Sequence, residues 1–115
     1  MFVVTTQPGV YIINGASNPE LYLVRGLTYV FANVPSGHPL IIKTTRGTTT
    51  TDAYSTGVTN NGVPGANVTF VVPMDAPDTL YYNCLYHAPF GGTLHITNAG
   101  AWDVDECTSF ILTPP

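Results

Sequence analysis

The sequence predicts an all-β domain, a sandwich or barrel of about seven or eight short strands. Three observations predict it. Apolar residues recur with period two, the signature of half-buried strands. Turn signals return about every 8–12 residues. Glycine and proline are abundant, at 11 and 10 of 115 residues, as suits a chain with many turns. No stretch carries a helical period, and no internal repeat, phosphate-cradling glycine loop or dinucleotide fingerprint is present.

Each element has its own signal. Val10 to Ile13 is an apolar run closed by Asn14-Gly15, a tight-turn pair. Leu21 and Leu23 alternate with Tyr22 and Val24 until Arg25-Gly26 ends the strand. Tyr29-Val30-Phe31 is β-branched and aromatic, and Pro35 and Gly37 break the chain after it. His38, Leu40 and Ile42 then fall on one face of a segment reaching Lys43. Residues 44–65 form a long polar excursion with four consecutive threonines, Thr48 to Thr51. Tyr54 and Val58 are its apolar anchors, and short strand pieces are expected within it. Val68, Phe70 and Val72 alternate again, and Asp75-Ala76-Pro77-Asp78 turns the chain. Leu80, Tyr82 and Cys84 share an inward face. After the tight loop Ala88 to Gly92, Leu94 and Ile96 point inward and His95 points away. The sequon Asn67-Val68-Thr69 lies within a strand and reads as part of it. These segments place a β domain over residues 1–97. Residues 98–115, with Trp102 and Phe110-Ile111-Leu112, form an extension expected to pack on the domain or on a neighbouring subunit.

Bulk properties narrow the function. Charged residues are only 9% of the chain, against roughly 25% in ordinary soluble domains. Such a surface suits an assembly component or an extracellular module. The net charge is -4, so no basic surface exists to meet nucleic acid. No apolar run is long enough for a membrane-spanning helix. The start, Met1 to Pro8, lacks the cationic and apolar regions of an export leader. Exported function would then require that a leader had been removed ahead of Met1.

The chemistry concentrates in two places. One is Ser36-Gly37-His38-Pro39-Leu40, and the other is Tyr82-Asn83-Cys84-Leu85-Tyr86-His87. Together they offer one thiol and two imidazoles. One thiolate with two imidazoles is the donor set of a trigonal copper site. Cys84 and His87 fit a strand end and the turn after it, so His38 must come from a neighbouring strand. The same residues also have plain structural roles: a buried cysteine serves as a small apolar residue, and a histidine beside proline can satisfy a carbonyl. Two cysteines are present, Cys84 and Cys107. A disulfide between them would exclude Cys84 from a metal site. His95 reads as a solvent-facing strand residue. Tyr81, Tyr82 and Tyr86 read as packing residues, with an electron path or docking surface as the alternative.

With those residues placed, the chain resembles the cupredoxins. Cys84-Leu85-Tyr86-His87 is similar to the plastocyanin-type ligand loop, preceded by a histidine at His38. The likeness is closer to cupredoxin-like modules of phage and marine bacterial proteins. It rests on Tyr11-Ile12-Ile13-Asn14-Gly15, Arg25-Gly26-Leu27-Thr28-Tyr29-Val30-Phe31, Gly37-His38-Pro39, Gly57 to Gly62 and Leu80 to His87, over roughly residues 10–97. The resemblance implies a cupredoxin-like Greek-key sandwich or barrel and a copper site of His38, Cys84 and His87. The family's axial methionine is missing. Gly92 stands five residues after His87, and Phe90 stands three after it. A long, weak axial contact can be lost without losing the metal.

Two functions are compatible with these residues, the first being the expected one and the second its alternative. One is a structural protein of a phage virion, a decoration, cement or fibre-type component, which binds capsid or tail protein, self-associates and keeps or has lost copper. The other is a type 1 copper protein of a periplasm or extracellular space that carries single electrons. No Ser-His-Asp set or paired carboxylates accompany the cluster, so an enzyme is not expected.

Overall fold

The computed structural model describes residues 1–99, so the expectations for the 98–115 extension and Cys107 fall almost wholly outside it. Ten strands form two sheets, and the described residues hold no α-helix. The strands are β1 (Phe2–Gln7), β2 (Val10–Ile13), β3 (Ala16–Ser17), β4 (Leu21–Val24), β5 (Thr28–Ala32), β6 (Leu40–Lys43), β7 (Val58–Thr59), β8 (Val68–Val71), β9 (Thr79–Cys84) and β10 (Gly91–Thr97). One sheet runs β3-β2-β1-β5-β8-β7 and the other β4-β10-β9-β6. No helix among these residues is long and apolar enough to cross a membrane.

The architecture is the expected β-sandwich, with ten strands in place of seven or eight. The extra strands have physical reasons. β1 buries only Val4 deeply, and its run Phe2-Val3-Val4-Thr5-Thr6-Gln7 does not alternate in residue type. β3 and β7 have two residues each, too few to show a period. The Asn14-Gly15 pair does turn β2 into β3, with φ of 49° and 86°. Those are the left-handed values a type I′ hairpin needs.

Alternation decides which side chains fill the space between the sheets. Val4, Tyr11, Ile13, Phe31, Val68 and Phe70 come from one sheet. Leu23, Leu40, Ile42, Leu80, Tyr82, Leu94 and Ile96 come from the other. Tyr54 and Val58 pack on this core from the long excursion, as expected, and Lys43 bridges Ala53 as an extra rung. Two polar residues are also fully buried, Lys43 and Asn83. Both lie on the other side of their strands from the core residues Ile42 and Tyr82, beneath the 44–52 loop.

The pairing that places the site is β9 between β10 and β6. Leu40 is in register with Cys84 and Ile42 with Tyr82. On the far side Gly91 faces Asn83 and Gly92 faces Tyr82. The loop joining β9 to β10 therefore sits beside the segment that enters β6.

Candidate metal centre

His38 does not lie in a strand. It closes a turn just before β6, with its N–H donating to Pro35 O at 3.1 Å. Pro39 then fixes the chain as it enters β6, and Pro39 O accepts from Leu85 N at 2.9 Å. That bond extends the β6–β9 pairing past Cys84 and holds the two donor segments together. Cys84 ends β9, with its side chain pointing into the core like Leu80 and Tyr82. The chain from Cys84 to Phe90 is pinned into a tight loop. Cys84 N donates to Phe90 O at 2.8 Å and Phe90 N to His87 O at 3.2 Å.

The three side chains converge. Cys84 Sγ lies 3.7 Å from His38 Nδ1 and 3.5 Å from His87 Nδ1. All three donor atoms lie within 4.8 Å of one another. Metal–donor bonds of about 2.0–2.3 Å at trigonal to tetrahedral angles separate neighbouring donors by about 3.5–3.8 Å. The two sulfur–nitrogen distances match that spacing. Cys84 is a free thiol and buried, His38 is half-buried, and His87 is exposed. Among the described residues no fourth His, Cys, Asp or Glu joins the group.

The surroundings act on His38 and Cys84. Desolvation, and then the neighbouring His87, lower the His38 pKa, which favours the neutral imidazole that binds metal. Tyr86 N donates to Cys84 Sγ at 3.4 Å. Tyr11 OH donates to His38 O at 2.6 Å. Burial, and then the charge and hydrogen bond of Cys84, push the Tyr11 phenol far up, so it stays a donor.

No methionine enters the site. Phe90 stacks on His38 with ring centroids 4.4 Å apart and meets His87 at 5.3 Å. It shields the imidazoles with an apolar ring. Gly92 cannot be replaced by a longer residue in place. A Cβ there would lie 2.7 Å from both Pro19 O and Tyr82 Oη.

Other sequence candidates go elsewhere. His95 is on the opposite face of β10 from Leu94 and Ile96. It stacks on Tyr22 at 4.7 Å and meets Glu20 at 2.7 Å. Tyr82 is buried, its hydroxyl donating to Pro19 O at 2.6 Å, so packing is its role. Tyr86 is 56% exposed and points to solvent beside the site. Sequence reasoning passed over Lys43, Arg46 and Asn83, which surround the ligand loop. The available signal was a lysine ending an apolar strand and an asparagine inside one.

A scan of protein-family models finds no match, and no curated protein is significantly similar. Solved structures do match. A Met-to-Gln mutant of rusticyanin aligns with TM-score 0.55 and 22% identity, over 84% of this chain and 76% of that chain. A Met-to-Leu rusticyanin aligns with TM-score 0.53 and 18% identity, over 84% and 75%. A reduced-state amicyanin mutant matches more weakly, at TM-score 0.45 and 18% identity, over 82% and 79%. The chain has a cupredoxin-like fold. Its Cys-His-His group could hold copper.

Proposed function

We propose that the domain binds one copper ion through His38, Cys84 and His87 and works as a carrier of single electrons rather than as an enzyme. One observation carries this reading: three donors of the blue-copper set lie within 4.8 Å of one another at one end of the sandwich. Bound copper would supply one-electron redox chemistry. The chain's own residues supply the rest. Cys84 is held away from water by the core, and Phe90 covers one face of His38. His87 is the exposed member, which gives a partner close access. Adding Cu(II) is expected to produce an intense visible thiolate-to-copper band. Cys84→Ser should lack it, and a colourless wild type overturns the proposal.

A second reading is a virion component, alone or with copper. The exposed apolar side chains Leu27, Val71 and Met74 support it, because they lie away from the metal group and suit contact with another protein. Capsid or tail protein and further copies of the chain would be the partners, and the virion its location. Deleting residues 98–115 tests it: unchanged incorporation into particles counts against this reading.

A further inference from the structure

The outer face of β6 and β9 carries a polar network that reaches the ligand loop from behind. Asn83 is fully buried there, on the opposite side of β9 from Tyr82. Its Nδ2 donates to Cys84 O at 2.9 Å and to His87 O at 3.5 Å. Its Oδ1 accepts from Arg46 Nε at 2.7 Å and from Gly47 N at 3.2 Å. Arg46 also donates through Nη2 to Ala88 O at 3.1 Å. Three carbonyls of the loop that carries Cys84 and His87 are thus satisfied by two side chains. The 44–52 loop that presents Arg46 is itself tied down. Lys43 Nζ, fully buried, donates to Gly47 O at 2.6 Å and lies 3.4 Å from Asp52 Oδ1. Asp52 accepts in turn from Thr45 and Thr49.

We infer that Arg46 and Asn83 are positioning residues for Cys84 and His87, and that Lys43 and Asp52 hold the loop that delivers Arg46. The inference rests on the metal-site reading, but the brace exists without metal and can be measured without it. A buried amide with every bond made fixes its neighbours in one arrangement, because each alternative leaves polar groups unpaired. Groups that fix the backbone behind metal donors tune how rigidly the donors are held. Arg46 has an exposed side chain, so its replacement does not open the core.

The test measures how fast a thiol reagent labels Cys84 in metal-free protein carrying Cys107→Ser. Arg46→Met should be labelled about tenfold faster than its parent, since a lost charged hydrogen bond makes local opening easier by that order. Asp52→Ala should move the rate the same way by less. Arg46→Lys, which keeps the charge and one donor, should recover part of the protection. Arg25→Met is the control. Arg25 makes equivalent bonds to Ala76 O and Asp78 near the other end of β10. It should lower the melting temperature without speeding labelling. Equal labelling of Arg46→Met and its parent overturns the inference. So does a rise in Arg25→Met as large as that in Arg46→Met at matched loss of stability. Asn83→Leu is a stronger cut, and the Arg46 pair decides where that variant fails to fold. Copper is then added to the same proteins, and the visible band of Arg46→Met should shift while Arg46→Lys keeps the parental band. A colourless parent with the labelling pattern intact removes the copper reading and leaves the brace standing.

Discussion

Phe90 lies flat against His38, with ring planes 14° apart and centroids at 4.4 Å. The same phenyl meets Tyr11 edge-on at 5.4 Å and an interplanar angle of 90°. One residue therefore seals the imidazole and completes the core at this end. Truncation to alanine removes both. Phe90→Ala is expected to lose about 3 kcal/mol of stability, the usual scale for an aromatic core truncation. Phe90→Met, closer in volume, should lose under about 1.5 kcal/mol. Urea denaturation of the metal-free proteins measures both.

Metal binding should stabilise the fold, because the donors are brought together only in the folded chain. Free copper at about a hundred times the dissociation constant adds about 2.7 kcal/mol. A melting temperature that rises with copper in the wild type, and does not rise in Cys84→Ser, is the expected result. His87→Ala should abolish the rise while leaving the metal-free melting temperature nearly unchanged, since His87 is exposed.

Asp52 links acid stability to the 44–52 loop. The Thr45 hydroxyl first, with help from Thr49 and Lys43, holds its carboxyl at about 2. An unfolded aspartate titrates near about 3.9. The folded value is the lower one, so its stabilisation is complete above that unfolded value. It is lost as pH falls toward about 2. Asp52→Asn should therefore be less stable than wild type at about pH 6, and the two should converge between about pH 4 and about pH 2. Urea midpoints taken across that range give the comparison.

Gly92 tests why no thioether stands five residues after His87. Its missing Cβ is the space that Pro19 O and the Tyr82 hydroxyl use. Gly92→Ala should cost about 1–3 kcal/mol by overpacking, and Gly92→Met should fold poorly or not at all. A well-folded Gly92→Met protein, seen by its near-ultraviolet circular dichroism, would contradict the geometry.

Much of this was legible in the chain. The alternation of Leu80, Tyr82 and Cys84 places the thiol inward because strand side chains switch faces at every residue. Asn14-Gly15 marks its hairpin because few other pairs accept two positive φ values. The convergence of His38 with Cys84 and His87 was readable from donor chemistry and the family likeness. The hidden features are those that depend on distance. Asn83 looks misplaced in an apolar strand until Arg46 arrives from 37 residues away, and Lys43 does until the 44–52 loop curls back to bring Gly47 O and Asp52 to it. β1 stayed hidden because its burial alternates while its residue types do not: Val3 is apolar but faces out, and Thr6 is polar but faces in. The stacking of Phe90 on His38 likewise depends on the curl of the 84–90 loop, which no local pattern records.

The parallel pairing of β10 with β4 has a consequence for how the molecule comes into being. Leu94 lies beside Leu21 and Thr97 beside Val24. The early strand must therefore wait, through most of synthesis, for its neighbour to emerge. Such sequence-distant contacts slow the search for the native arrangement. The sulfur of Cys84 leaves the ribosome before that neighbour does, and the newborn polypeptide passes through a period in which it stands open to oxidants.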